Sequence, residues 1–379
     1  MAKNMDQIVD VAIVGAGIVG LGHALAAIDR GMRVLVIDRG AEQTGSSIRN
    51  FGHCCITVQS GAAQVHAERT RELWLRLAEE TGLWLREGAF VVARADDELA
   101  ALREFAARRP AQVEEIDADE VTARTGVGAG IATGGVRLLD DVQVNPRDAL
   151  AKITAYLRSR GVEFQFQTAV RTIRTGRLHT TRGRVGADTI VVAVNHDLDQ
   201  LFPDLAAQYE VRRCGLDMLR VSIPGLRAPL EGPVLTGWSM LRYSGFAGSP
   251  SLAGVRDRLW SVHPTLAALD LNQMYTQLPD GTVIVGDTHY RGDAIAPFQQ
   301  EAAFDELLRL AAEFFGQAPD GIRVVERWQG VYASAPAEFL VESPVEGVHV
   351  VGVTTGIGMT TGLGLADRVM AEIYEPVGA

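Results

Sequence analysis

The arrangement of apolar runs and glycines near the start of the chain predicts a strand, a helix and a second strand. Residues 11–14 are all apolar and run into a glycine-rich turn over residues 15–20. A mostly apolar segment with helical spacing covers residues 21–30, and a second apolar run, residues 34–37, ends at Asp38. Short apolar runs bounded by glycine are typical of buried strands in a parallel sheet, with the crossover helix between them.

The three glycines of this turn have the spacing that binds a dinucleotide. Gly15 permits the tight turn, Gly17 lets a pyrophosphate approach the backbone, and Gly20 lets the helix pack closely on the strand. The helix N-terminus would face the phosphates with unpaired N–H groups, and Asp38 would accept hydrogen bonds from the ribose hydroxyls. The motif predicts a dinucleotide site but does not separate FAD from NAD.

Apolar spacing along the rest of the chain predicts further helices and strands. The predicted helices cover residues 62–81, 96–109, 147–160, 298–315 and 363–373. The predicted strands cover residues 89–93, 162–166, 189–194, 218–223, 283–285 and 348–353. Two stretches, about residues 84–136 and 212–323, interrupt the alternation of strand and helix. They are interpreted as excursions away from the nucleotide-binding fold.

The composition is that of an ordinary globular protein. The chain has 379 residues, more than the usual ~100–200 of one domain, so two domains are expected. The formal net charge of −11 argues against a nucleic-acid face and against an anionic membrane surface. A local cluster of arginines could still bind an anionic substrate. Residues 11–28 are nearly uncharged, but their glycines and His23 fit the nucleotide fold better than a membrane span.

The cysteines and histidines indicate neither a metal site nor structural disulfides. Cys54, Cys55 and Cys214 have no C-x-x-C spacing, and the His, Cys and carboxylate residues do not cluster as metal ligands do. A redox pair of Cys54 and Cys55 is the alternative, which is disfavoured because a disulfide between neighbours in sequence is strained. A reduced, cytoplasmic protein is therefore expected.

Further motifs follow the glycine turn in a fixed order along the chain. They are residues 46–50, residues 144–147, Asn195 with its preceding strand, residues 327–330 and residues 355–360. Together with the glycine turn and Asp38, these motifs resemble the D-amino-acid oxidase superfamily of flavoenzymes, which includes glycine oxidase and monomeric sarcosine oxidase. The resemblance covers essentially the whole chain and is weakest over residues 212–323.

The resemblance implies an α/β protein with a Rossmann-like FAD-binding domain and an inserted α+β substrate domain built mainly on an antiparallel sheet. The FAD-binding domain would comprise residues 1–88, 140–211 and 324–379, and the substrate-binding domain residues 89–139 and 212–323. FAD would be bound without a covalent link. The residues that the resemblance assigns to FAD are Gly15, Ala16, Gly17, Ile18, Val19, Gly20, Asp38, Arg39, Ser46, Ser47, Arg49, Asn50, Val170, Thr355, Gly356, Ile357, Gly358, Met359 and Thr360.

Two departures from the family bear on substrate and cofactor. Amino-acid oxidases of the family follow W-x-G with an arginine that pairs with the substrate carboxylate, whereas here Tyr332 follows Trp328 and Gly330. A phenol is a weaker partner for an anion than a guanidinium, so either the substrate is not a simple α-amino acid or another residue holds its anion. The late cysteine that attaches flavin in sarcosine-oxidase relatives is absent, and a histidyl link through His53 is the covalent alternative.

Residues 47–53, Ser-x-Arg-Asn-Phe-Gly-His, resemble a subgroup found with bacterial aminophosphonate breakdown. This implies a small primary or N-methylated amine that carries an anionic group, such as N-methyl-2-aminoethylphosphonate. Hydride transfer to FAD would give an imine that hydrolyses to an aldehyde, with O2 or another electron acceptor reoxidising the flavin and O2 giving H2O2. One alternative is an oxidase of glycine, sarcosine or a D-amino acid. The other is an NAD-linked or non-catalytic dinucleotide-binding protein.

Amine oxidation by a flavin requires the protein to hold the amine C–H over the flavin and to bind the substrate's anionic group. Cationic and hydrogen-bonding side chains are therefore the candidates. Arg49 or Arg242 would hold the anion, and Asp287 would orient the ring of His289. The six candidate catalytic residues are Arg49, His53, Arg242, Tyr243, His289 and Tyr332.

Overall fold

The structure is a computed structural model that describes residues 7–375. Its strands are β1 (Gln7–Val14), β2 (Val34–Ile37), β3 (His53–Cys54), β4 (Leu85–Ala93), β5 (Val113–Ile116), β6 (Gly134–Val144), β7 (Glu163–Gln165), β8 (Val170–Arg174), β9 (Arg177–Thr180), β10 (Gly183–Val192), β11 (Arg212–Ser222), β12 (Val234–Leu235), β13 (Met274–Gln277), β14 (Val283–Gly292), β15 (Arg323–Val345) and β16 (Val348–Thr355). Its α-helices are α1 (Ile18–Asp29), α2 (Gly61–Thr81), α3 (Asp96–Arg108), α4 (Ala118–Thr125), α5 (Pro146–Ser159), α6 (Pro203–Gln208), α7 (Gly237–Met240), α8 (Leu252–Val262), α9 (Pro264–Ala268), α10 (Glu301–Phe314) and α11 (Gly358–Tyr374). None of the helices over residues 7–375 has the length and apolar character needed to cross a membrane.

Five parallel strands lie side by side in the order β7-β2-β1-β10-β16. Val11 and Ile13 of β1 point to one face, where they pack on α1, α2, α5 and α11. Ala12 and Val14 point to the other face, where they pack on β8, β9 and residues 198–206. Because both faces are covered, residues 11–14 of β1 and all four residues of β2 are apolar, which is the pattern that the sequence showed.

The long strand β15 joins this parallel layer to a mainly antiparallel one, in which only β12 and β4 pair in parallel among the residues described. It pairs with β16 on one side and with β11 on the other, and the ladder continues through β14, β13, β12, β4, β6 and β3. Hydrogen bonding is therefore continuous across the sheet, and the result is the mixed α/β architecture that the sequence predicted. The division of the chain into an FAD-binding and a substrate-binding domain stays a prediction, since β15 belongs to both ladders.

Several predicted bounds shift because tertiary pairing overrides the local pattern. The strand predicted at residues 283–285 extends to Gly292, because β11 pairs with β14 from Val283 to Gly292 apart from a bulge at Asp287. The helix predicted at residues 298–315 begins only at Glu301, and Phe298 is left exposed. The helix predicted from residue 363 begins at Gly358, so part of the expected C-terminal glycine loop is the first turn of α11.

Candidate active site

One large cavity of about 900 Å³ lies where the carboxyl ends of the parallel strands meet the antiparallel layer. One end is lined by the glycine turn, Asp38 and Val170, and the other end by Arg242, His289 and side chains around them. Ligands of open α/β sheets bind beyond the carboxyl ends of the strands, at the place where the first βα turn opens. The cavity has this position and is large enough for a dinucleotide and a small second ligand.

The glycine turn is fixed by close backbone contacts. Gly15 has φ +107°, and a Cβ there would lie 2.4 Å from the carbonyl oxygen of Ala193 at the end of β10. A Cβ on Gly20 would lie 1.9 Å from the carbonyl oxygen of Gly15. Gly20, assigned to FAD in the sequence analysis, does not line the cavity. Gly20 is buried and packs α1 against the turn, and its assignment to FAD stays a prediction.

The turn leaves the N-terminus of α1 open to the cavity. Its N-cap is Gly17, which provides no side-chain cap, and the Ile18 N–H donates to Ser47 Oγ at 3.0 Å. Asp38 accepts the Ala16 N–H at 2.8 Å with Oδ2 and the Gly40 N–H at 2.7 Å with Oδ1. An uncapped helix N-terminus is a favourable place for phosphate, and the fixed carboxylate lies where ribose hydroxyls would approach.

The loop over residues 46–50 is tied to both layers of the sheet by asparagines. Asn50 Nδ2 donates to the carbonyls of Ser46 and Ser47, at 2.9 and 3.0 Å. Asn195 Nδ2 donates to Ser46 Oγ at 2.7 Å, while Asn195 Oδ1 accepts the Ala333 N–H at 2.8 Å. The loop therefore forms a rigid wall of the cavity between the two ends.

A second helix N-terminus faces the cavity from the end of β16. Gly356 has φ +80°, and a Cβ there would lie 3.0 Å from the Tyr332 ring, so the backbone passes close to this ring. The N-cap of α11 is Ile357, again without a side-chain cap. Thr360 Oγ1 accepts the Cys55 N–H at 3.0 Å. The two helix N-termini, the open glycine turn and Asp38 are donors and acceptors of the kind that FAD requires.

A buried polar triad lies on the wall between these ends. His53 Nε2 is 2.8 Å from Asp141 Oδ2, both side chains have no exposed surface, and His53 Nδ1 is 3.3 Å from Cys55 Sγ. The Asp141 Oδ1 also accepts the Thr57 N–H at 2.7 Å. Burial alone would lower the pKa of His53, but the Cys55 sulfur and the Asp141 carboxylate together raise it to about 10.

Charged residues at the far end of the cavity form a network centred on Asp270. Arg242 Nη1 donates to Asp270 Oδ1 at 2.7 Å, and Arg291 Nη1 donates to Asp270 Oδ2 at 2.7 Å. Two guanidinium groups share one carboxylate, so the network keeps a net positive charge. Arg242 lines the cavity, and Arg291 does not. Arg49 also lines the cavity and forms no ion pair with any residue in the range 7–375.

Asp287 and His289 lie on the same face of β14 and both line the cavity. His289 Nδ1 lies within hydrogen-bonding distance of the Asp270 carbonyl oxygen, at 2.9 Å, and His289 Nε2 is 3.6 Å from Asp287 Oδ2. Burial, reinforced by the charge of Arg242, lowers the pKa of His289 well below its ordinary value, so the ring is neutral. Burial raises the pKa of Asp287 to about 7, although Arg242 opposes the shift.

Two tyrosines line the same end of the cavity as Arg242 and His289. The Tyr243 hydroxyl is 3.3 Å from Cys55 Sγ, and burial raises the pKa of Tyr243 well above its ordinary value. Tyr332 packs edge-on against His289 with ring centroids 6.4 Å apart, and burial raises its pKa as well. Both phenols are therefore neutral hydrogen-bonding groups that cannot replace an arginine as the partner of an anion.

All six candidate catalytic residues line this cavity, as do all residues assigned to FAD except Gly20. Arg39 lines it as well, with its guanidinium bound to Asp197 at 2.5 Å. Their individual roles stay predictions. Sequence reasoning did not select four polar residues in or beside the cavity: Cys55, which it weighed only as a redox partner of Cys54, Asn272, and the carboxylates Asp141 and Asp270 that bond His53 and Arg242. None of the four had a clear signal in the sequence, since even Asp141 lies in a strand that also contains Arg137, Asp140 and Gln143.

Comparisons with known proteins agree with this geometry. The model of the DAO family, described as "FAD dependent oxidoreductase", matches residues 10–373. No curated protein sequence matches the chain. Solved structures with the same fold have sequence identity too low to indicate more than the fold. Glycine oxidase from Geobacillus kaustophilus has a TM-score of 0.78 and 19% identity, over 98% of this chain and 96% of that one.

L-Proline dehydrogenase from P. horikoshii has a TM-score of 0.78 and 16% identity, over 99% of this chain and 95% of that one. Iminodiacetate oxidase from Chelativorans sp. BNC1 has a TM-score of 0.74 and 18% identity, over 97% of this chain and 96% of that one. The family match spans nearly the whole sequence, and the cavity offers what a flavin dinucleotide needs. The chain belongs to the DAO family of FAD dependent oxidoreductases, and its cofactor is FAD.

Proposed function

We propose that this protein oxidises a small primary or N-methylated amine that carries an anionic group, and that the group is a phosphonate. The observation that carries the proposal is the combination, at one end of the cavity, of a cationic group, Arg242, with a carboxyl group, Asp287. A substrate with an anion and an amine at its two ends complements this pair. An aminoalkylphosphonate such as N-methyl-2-aminoethylphosphonate has this form.

The structural neighbours support an amine as the reacting group. Glycine oxidase, iminodiacetate oxidase and L-proline dehydrogenase are named for amines that carry carboxylates. The phosphonate rests on the resemblance of residues 47–53 to the aminophosphonate subgroup and on Tyr332, which stands close to where amino-acid oxidases carry their carboxylate-binding arginine. The alternative is oxidation of glycine, sarcosine or a D-amino acid, with Arg49 or Arg242 holding the carboxylate.

The residues of the cavity have distinct parts in this reaction. FAD, when bound, supplies the acceptor for the hydride that leaves the carbon next to nitrogen. Arg242 holds the anionic group, while the neutral Tyr332 and Tyr243 close the walls around the substrate. Loss of a hydride and a proton turns the amine into an imine, and water then releases the aldehyde. With O2 as the final acceptor H2O2 forms, and with another acceptor the protein is a dehydrogenase.

We also propose that FAD is bound without a covalent link. Both ring nitrogens of His53 already have protein partners, because Nε2 bonds Asp141 and Nδ1 faces the sulfurs of Cys55 and Met274. A histidyl–flavin bond would break one of these contacts. Acid precipitation should therefore leave the flavin in the supernatant, and flavin retained in the pellet would contradict the proposal.

Arg242→Ala should remove the preference for an anionic amine. We expect the wild type to favour 2-aminoethylphosphonate over propylamine, and the variant to lose about 10- to 100-fold of that preference in kcat/KM. The expected loss is that of one charge-assisted hydrogen bond, about 1.5–3 kcal/mol. The measurement is formation of aldehyde and H2O2 with the two amines in both proteins.

The matched control is Arg291→Ala. Arg291 bonds the same carboxylate of Asp270 but does not line the cavity, so its loss should leave the preference nearly intact. If Arg49→Ala loses the preference and Arg242→Ala keeps it, the anion is held at the loop over residues 46–50 instead. If the wild type shows no preference at all, the anionic group is not part of the substrate.

A further inference from the structure

A bulge in β14 places Asp287 at the cavity. On β11, Asp217 pairs with Thr288 and Met218 pairs with Gly286, so Asp287 between them has no partner on that strand. On the other side, Asp287 and Asn272 exchange backbone hydrogen bonds of 2.6 and 2.8 Å. Bulges of this kind redirect a side chain and are common beside active sites. The side chains of Asp287 and Asn272 therefore lie side by side and both line the cavity.

Each of these two side chains has a buried oxygen without a hydrogen-bond partner. Asp287 Oδ1 and Asn272 Oδ1 are both unpaired among residues 7–375, and each residue is only 5% exposed. Ser244 Oγ, which also lines the cavity, is unpaired as well. Buried acceptors without donors are destabilising, and in native proteins they usually mark the place of a ligand or of fixed water. The unpaired atoms here require a group that donates two or more hydrogen bonds.

The charges around Asp287 favour a cationic donor that can lose a proton. Arg242 is the nearest cation, and it is already bound by Asp270. His289 on the same strand is neutral, and so are the phenols and the thiol that face the carboxyl from the other elements. The titratable groups around Asp287 are Arg242, Asp270, His289, Tyr243, Tyr332 and Cys214. Since burial raises the pKa of Asp287 to about 7, this carboxyl can gain or lose a proton near neutral pH.

We propose that Asp287 and Asn272 form the subsite for the substrate's amino group, and that Asp287 accepts the proton that the substrate ammonium must lose before oxidation. The inference rests on the proposed function. The N–H bonds of the ammonium point at Asp287 Oδ1 and Asn272 Oδ1. One N–H proton moves to Asp287 Oδ1, which leaves a neutral carboxyl group and a neutral amine with its lone pair. The neutral amine can then give up the hydride of its adjacent carbon, for which FAD, when bound, would be the acceptor, and the product is the protonated imine.

Asp287→Asn tests this assignment, because the amide keeps the size of the side chain and cannot accept the proton. The rate of anaerobic flavin reduction by the best amine should fall about 100-fold near pH 7.5, the usual size of general-base catalysis. The deficit should shrink as the pH approaches the pKa of the free amine, because solvent then supplies the neutral form. In the wild type, the rate should fall below about pH 7, where Asp287 is protonated.

Two further variants separate this role from a structural one. Asp287→Glu keeps a carboxylate and should retain part of the wild-type pH profile. Asp217→Asn removes a buried carboxylate that bonds Thr288 on the opposite face of the same strand, outside the cavity, and should leave the pH profile unchanged. Flavin content is measured for each variant. If Asp287→Asn does not retain flavin, the pH profile of flavin reduction in Asp287→Glu tests the role of the carboxylate instead.

A deficit in Asp287→Asn that is the same at every pH would overturn the proposal, since it would reflect a structural defect. A variant with the wild-type rate would also overturn it and would assign the unpaired oxygens to water. If the wild-type flavin is reduced by no amine, the proposed function fails and this inference fails with it. If amines reduce the wild-type flavin and Asp287→Asn has the same pH profile of flavin reduction, the inference about Asp287 is wrong while the proposed function stands.

Discussion

Gly15→Ala should yield a protein that no longer retains FAD. Gly15 has φ +107°, a region in which alanine is strained by about 1–3 kcal/mol, and the added Cβ would lie 2.4 Å from the Ala193 carbonyl oxygen. The turn must move away from β10, and the N-terminus of α1 moves with it. Affinity for FAD should fall at least about 100-fold, equivalent to about 3 kcal/mol.

The measurement is the flavin content of the purified variant and its Kd for added FAD. Gly254→Ala is the matched control, because Gly254 lies inside α8, has no atom within 4 Å of an added Cβ, and is far better suited to alanine. The Gly254→Ala variant should contain as much flavin as the wild type. A Gly15→Ala protein with full flavin content would show that the turn does not hold the pyrophosphate.

Asp141→Ala should lower the free energy of unfolding by about 3–5 kcal/mol, because it leaves His53 buried without its charged partner. The pair has no exposed surface, and Asp141 also accepts the Thr57 N–H, so two contacts are lost together. Urea denaturation of the apoprotein measures the change. Glu372→Ala, which breaks the exposed pair with Arg368 on α11, should cost no more than about 0.5 kcal/mol.

The loss in Asp141→Ala should depend on pH in a defined direction. The pKa of His53 is raised to about 10 in the folded protein, so its charged form stabilises the fold fully below its ordinary pKa of about 6.5. That contribution disappears as the pH rises through 10. The difference between wild type and variant should therefore narrow between about pH 6.5 and 10. A difference that widens over this range would contradict the charged His53–Asp141 pair.

Local patterns predicted the parts of the fold that local physics determines. The strand, glycine turn and helix over residues 11–30 were recognisable because the apolar runs, the glycine spacing and Asp38 lie close together in sequence. The side chains of Arg242 and His289 could be selected by their chemistry alone. The packing role that the motif predicted for Gly20 agrees with the structure, in which an added Cβ would lie 1.9 Å from the Gly15 carbonyl oxygen.

The sequence did not predict which side chains of the site bond to each other. His53 meets Asp141 across 88 positions because β3 pairs with β6 in antiparallel register. Arg242 and Asp270, 28 positions apart, meet where the segments that follow α7 and α9 come together. The bulge that places Asp287 beside Asn272 likewise depends on how β11 and β14 pair. β15 was missed as a strand because no regular alternation of apolar and polar residues runs along its 23 residues, which are exposed, half-buried and buried in irregular order.

The central claim is that an amine reduces the flavin of this protein. The most direct test is anaerobic bleaching of the flavin absorbance by glycine, sarcosine, D-alanine, 2-aminoethylphosphonate and N-methyl-2-aminoethylphosphonate. We expect the two phosphonates to bleach the flavin and the amino acids to do so slowly or not at all. Bleaching by the amino acids alone would keep amine oxidation and favour the amino-acid alternative. A flavin that none of these amines reduces would contradict the claim.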